Sequence, residues 1–161
     1  MIGDWLATLE AMGFAVALRH SVWTYPLVNA AHILGVALLL GAILPLDLRL
    51  LGLWRTVPLA PLWRVLTRTA SAGLALALIC GGLLFATRAT EYAASSLFTT
   101  KMILVFAGCA NALALRLLLP GRESPRWPET GVPLLRLRLA AGFSLVAWLA
   151  TMTLGRLVGY F

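Results

Sequence analysis

Two side chains stand out by type and position. His32 lies inside Ser21 to Leu44, a run apolar and long enough to cross a bilayer, and Lys101 lies about one turn inside a later run of the same kind. An ionisable group at the centre of the hydrocarbon costs roughly 2.5–3.5 kcal/mol on insertion scales, so each residue is a candidate for function. Neutral imidazole is a common metal ligand. A lysine at that depth must be rescued by ligating a metal as the neutral amine, by an ion pair, or by snorkelling to water. From Pro26 to His32 is six residues, about 9 Å of helical rise, and from Ser96 to Lys101 is five, about 7.5 Å. If both helices start at one plane, the two side chains sit at similar depth and could both face a bundle interior. Gly35, one turn beyond His32, and Gly108, two turns beyond Lys101, would leave room for a flat ligand. The structural alternatives are a snorkelling Lys101 and a core His32 hydrogen-bonded to Asn29, Tyr25 or Asn111.

The elements that must hold this pair follow from composition and periodicity. The 161 residues are 61% hydrophobic and 12% charged, with a mean hydropathy of +0.91. Globular domains run nearer 45–50% apolar and about 25% charged, which excludes a soluble reading. The expected fold is all-α: one polytopic domain over 1–161, with four transmembrane helices in a bundle and an N-terminal amphipathic interfacial helix. That first helix covers 1–19, where Ile2, Trp5, Leu6, Leu9, Met12 and Val16 recur at helical spacing. Asp4 and Glu10 stand there without a positive n-region, so it does not read as a cleaved signal peptide.

The spans are expected at about 22–44, 69–87, 97–119 and 134–157. Trp23 and Tyr25 suit an aromatic belt and Pro26 a first helical turn, with Pro45 and Asp47 ending the first span. A short surface helix is expected at Leu62 to Thr67. In the second span Gly73, Ala77 and Gly81 form a small-xxx-small row that lets helix backbones approach. Arg88, Glu91 and Tyr92 read as a short loop, Ser95 or Ser96 as the cap of the third span, and Gly121 to Pro133 as a proline-rich loop.

The net charge of +7 would suggest nucleic acid in a soluble protein. Here the arginines gather in two loops between spans, which points instead to anionic lipid and to topology. Arg49, Arg55, Arg64, Arg68, Arg116, Arg122, Arg126, Arg136 and Arg138 lie on one side, against Arg19, Arg88, Lys101 and Arg156 on the other. That bias puts both larger loops in the cytoplasm and both termini outside. Asp47 and Arg49 read as an ion-pair clamp to the arginines near the third and fourth spans, or as a proton or headgroup site. Arg88 and Glu91 read as a solvated i,i+3 pair. Asn111 reads as a bond to another helix. Cys80 and Cys109 lie in apolar segments without CxxC spacing and read as packing residues. No phosphate loop, catalytic triad, zinc spacing or paired-carboxylate signature occurs.

Several short stretches resemble an uncharacterised family of small bacterial four-helix membrane proteins. They are S-x-W-x-Y-P (Ser21 to Pro26), H-I-L-G (His32 to Gly35), D-L-R-L-L-G (Asp47 to Gly52), G-L-L-F (Gly82 to Phe85), A-T-E-Y (Ala89 to Tyr92) and F-T-T-K (Phe98 to Lys101), followed by Asn111. More distantly, the chain is similar to the haem-binding membrane protoporphyrinogen oxidases and the related copper-resistance membrane domain. Those place a histidine before an aliphatic-glycine turn and a lysine at the start of a later span, both implicated at the haem, and His32 and Lys101 occupy the matching positions. Asn111 stands where a later histidine would be expected. The resemblance implies a multi-pass protein of the bacterial inner membrane with haem b as cofactor and His32 as ligand to the haem iron. The candidate cofactor-binding residues are His32, Lys101, Tyr25, Arg88 and Asn111. Three functions remain open at this level: haem-based electron transfer or redox chemistry, a non-catalytic subunit of a larger membrane complex, and copper handling or small-solute transport. The expected partners are membrane lipids and other membrane subunits or a second copy of the chain, with no nucleic acid.

Overall fold

A computed structural model describes residues 2–118 and 134–160. Among them there are seven helices and no strand: α1 (Ile2–Ala11), α2 (Gly13–His20), α3 (Thr24–Leu51), α4 (Leu59–Thr87), α5 (Ala89–Ala94), α6 (Ser96–Leu118) and α7 (Leu134–Leu157). Helices α3, α4, α6 and α7 are each long and apolar enough to cross a membrane. The protein is an all-α, multi-pass membrane bundle. The loop Gly121 to Pro133, with Arg122 and Arg126, lies outside the described residues.

The third and fourth spans match expectation, and Ser95 caps α6 by accepting the Phe98 N–H at 3.3 Å. The first two spans are longer than expected. Helix α3 continues through Pro45, which has no N–H for the Gly41 carbonyl, and stops only at Gly52. A spanning helix tolerates such a gap because local adjustment and neighbouring helices re-satisfy the backbone. Gly52 ends the helix by adopting φ +113°, a left-handed conformation open to glycine, and its N–H bonds back to the Arg49 carbonyl at 3.2 Å. The expected surface helix at Leu62 to Thr67 is the first part of α4, which Pro61 enters in its opening turn. The N-terminal helix is two, broken at Met12, whose ψ of 140° is extended. The segment after Arg88 is the short helix α5 rather than a loop.

Packing divides the bundle into two hairpins. Helix α3 runs along α4, α6 along α7, and the hairpins meet through α3 and α7. The α3–α4 seam is backbone on backbone. A Cβ on Gly35 would lie 2.6 Å from the Ala77 nitrogen, and one on Gly73 would lie 2.6 Å from the Leu39 nitrogen. The small-residue row on α4 therefore does what its spacing implies. Helices α1 and α2 cover the end of the bundle nearer His32, with α1 against α5 and α2 against α4. There the Glu10 carboxylate accepts the backbone N–H and the hydroxyl of Thr90, both at 2.7 Å.

Candidate functional site

Two cavities lie between the hairpins. One, of about 1030 Å³, is at the His32 end, and the other, of about 840 Å³, is at the arginine-rich end. Leu39, Leu74 and Trp148 line both and form the partition between them. Trp148 is only 4% exposed and anchors the central apolar cluster with Leu39 and Leu40.

His32 and Lys101 line the same cavity. His32 is half-buried, and its Nδ1 lies 2.8 Å from the Ala77 carbonyl oxygen. A carbonyl can only accept, so Nδ1 carries the proton and Nε2 keeps its lone pair. This replaces the expected bond to Asn29, Tyr25 or Asn111. The close seam presents the α4 backbone directly to the ring, and Gly81 makes room: a Cβ there would lie 3.0 Å from His32 Cε1. Nε2 has no hydrogen-bond partner among the described residues. Such an imidazole, with one nitrogen fixed by a backbone carbonyl and the other free, has the arrangement of a metal-ligating histidine.

Lys101 is half-buried on α6. Its Nζ lies 5.9 Å from the centroid of the Phe98 ring, and the side chain packs where Gly155 leaves space. No acidic side chain pairs with it among the described residues. Phe98 stacks with Phe85 at 5.3 Å between centroids, and Tyr92 completes the cluster at 5.4 Å from Phe98. Burial holds the Tyr92 phenol above its ordinary range, and the nearby Tyr25 acts in the same direction. Arg156 also lines the cavity, donating to the Tyr160 hydroxyl at 2.7 Å.

The other candidates lie elsewhere. Arg88 is exposed, and its Nη1 donates to Glu91 Oε2 at 3.4 Å, the i,i+3 pair. Tyr25 lies toward Tyr92, outside the lining of the His32 cavity. Asn111 lines the second cavity, and its Nδ2 donates to the Ala140 carbonyl on α7 at 3.0 Å, a helix-to-helix bond. The two glycines expected to make room for a ligand do not. Gly35 is filled by the α4 backbone, and Gly108 by the Trp148 indole, whose carbons lie 2.9 Å from where a Cβ would be. Sequence reasoning missed Arg156 and the aromatic cluster, although Phe85, Tyr92 and Phe98 stand in the quoted G-L-L-F, A-T-E-Y and F-T-T-K stretches. No group of three or more His, Cys, Asp and Glu side chains converges among the described residues.

No protein-family model, curated protein or solved structure matches the chain.

Proposed function

We propose that this multi-pass protein resides in a bacterial inner membrane and holds haem b in the His32 cavity for electron transfer. One observation carries the reading: a half-buried imidazole whose Nδ1–H is fixed on the Ala77 carbonyl and whose Nε2 is free, at the wall of a cavity of about 1030 Å³. Known ligand and cofactor sites span about 300–1,000 Å³, so the space suits a large flat group. When bound, the haem supplies one-electron redox chemistry.

The chain's own residues prepare that site. The Ala77 carbonyl sets the His32 tautomer, orients the ring and raises the basicity of Nε2. Leu, Ile, Val and Phe side chains make most of the wall apolar. Lys101 would hold the group through its amine, at the iron or at a carboxylate, and Arg156, lining the same cavity, would offer a guanidinium to a carboxylate. The arginine bias supports a topology with both larger connections in the cytoplasm and both termini in the periplasm.

The visible spectrum of the purified protein tests this. A Soret band that disappears in His32→Ala supports it, and a colourless wild-type protein overturns it. A second reading is a non-catalytic subunit, favoured by the gap between the hairpins, which a helix from a larger complex could fill. That reading expects a colourless protein recovered in fixed ratio with larger subunits.

A further inference from the structure

We propose that the second cavity, at the arginine-rich end, binds a phospholipid whose headgroup ends in a primary ammonium, as in phosphatidylethanolamine. The inference is independent of haem. Its anchor is Asp47, which lines this cavity, is 4% exposed, and has its Oδ2 buried without a hydrogen-bond partner among the described residues. Ser144 hydrogen-bonds to the carboxyl, and no cation pairs with it among the described residues. Among the described residues no arginine near the third or fourth span clamps Asp47, Arg122 and Arg126 lying outside them, and Arg49 is turned elsewhere: its Nε donates to the Val57 carbonyl at 2.9 Å and its Nη2 to the Arg55 carbonyl at 3.1 Å. A buried carboxyl left this way calls for a donor, ideally a charged one.

The rim has the opposite need. Arg64 and Arg68, one turn apart on α4, and Arg116 on α6 line the same cavity, are exposed, and pair with no acid among the described residues. A phosphodiester meets guanidinium groups with strong charge-assisted bonds. Most of the other lining side chains are apolar, and Leu113 and Leu117 among them stand exposed, a surface suited to acyl chains. One molecule meets all three demands: phosphate at the arginines, ammonium at Asp47, and chains along α6. A choline headgroup has the same charges but no N–H to donate, and a glycerol headgroup offers hydroxyls without the positive charge.

The test uses the full chain, purified in detergent and delipidated, with native mass spectrometry reading retention of phosphatidylethanolamine, phosphatidylcholine and phosphatidylglycerol of matched acyl chains. A charged hydrogen bond is worth about 1.5–3 kcal/mol, so the ethanolamine lipid is expected to bind about tenfold or more above the choline lipid. Asp47→Asn is expected to erase that preference, and Arg64→Gln with Arg68→Gln to weaken all three lipids. The wild-type comparison needs no variant, so misfolding of Asp47→Asn leaves the proposal testable. Equal retention of ethanolamine and choline lipids overturns it. So does stronger retention of the glycerol lipid, or displacement of bound lipid by millimolar inorganic phosphate, which would mark a soluble-anion site.

Discussion

The two cavities share a partition and differ in how their buried polar group is satisfied. At one end His32 has a fixed partner on Nδ1 and a free nitrogen on a half-buried ring. At the other, Asp47 is almost wholly buried and its Oδ2 has no hydrogen-bond partner among the described residues. A neutral ring with a spare lone pair can wait for an electrophile at little cost. A buried carboxyl with an unpaired oxygen carries a larger cost, which a hydrogen-bond donor would offset. The first arrangement suits the proposed metal ligand, and the second suits the proposed headgroup.

The comparison depends on the partition between the sites, and breaking that partition should give the largest effect. Trp148→Ala removes a buried indole from the central cluster and merges the cavities. A loss of about 3–5 kcal/mol is expected in detergent unfolding, with disturbance at both sites. A variant as stable as wild type would show that the cavities are not separately built.

The α3–α4 seam comes next. Gly73→Ala places a Cβ 2.6 Å from backbone, a clash no rotamer relieves, with an expected cost of about 1–3 kcal/mol and weakened support of His32 by Ala77. Gly82→Ala meets nothing within 4 Å and should be neutral or stabilising by up to about 1 kcal/mol. Equal effects of the two substitutions, measured as change in melting temperature, would remove the seam from the account.

Asn111→Leu should cost less, about 0.6 kcal/mol, the average for a polar contact between spanning helices. It should leave any haem spectrum unchanged, because Asn111 bonds to α7 and faces the other cavity. A shifted spectrum would return Asn111 to the His32 site.

The smallest effect lies outside the membrane. The Thr90 N–H, followed by its hydroxyl, holds the Glu10 carboxyl below its ordinary value of 4.5. A group depressed on folding stabilises the docked state above its unfolded value and ceases to as pH falls through the folded one. Docking of α1 on α5 should therefore loosen below pH 4.5, read by the fluorescence of the exposed Trp5. Glu10→Gln should remove this pH dependence. A transition unchanged in that variant would exclude Glu10 as its source.

Much of this architecture was legible in residue order. The apolar runs located four spans, the Gly73, Ala77, Gly81 row located the seam, and the Ser95–Ser96 pair narrowed the cap to two residues, of which Ser95 serves. What misled was chemistry with two solutions. A proline reads as a stop in water, but α3 carries Pro45 and ends where Gly52 can turn left-handed. Gly35 and Gly108 read as space for a ligand, yet a missing Cβ serves equally to admit a backbone or an indole, and the residue itself does not distinguish these. Asp47 has no arginine partner among the described residues, and Arg49 is turned instead to the carbonyls of Arg55 and Val57 in the turn after α3. His32 and Lys101 were brought to one cavity as their depths implied, whereas the partner of His32 is a main-chain carbonyl, which side-chain identities do not encode.

The central claim is that the free nitrogen of His32 makes its cavity the cofactor site while the Asp47 cavity serves another ligand. It is tested most directly by the absorption spectrum of wild type, His32→Ala and Asp47→Asn, each purified by the same route and checked for folded helix content. The account expects a Soret band in wild type, its loss in His32→Ala and its retention in Asp47→Asn. An undiminished band in folded His32→Ala, or no band in wild type, would contradict it.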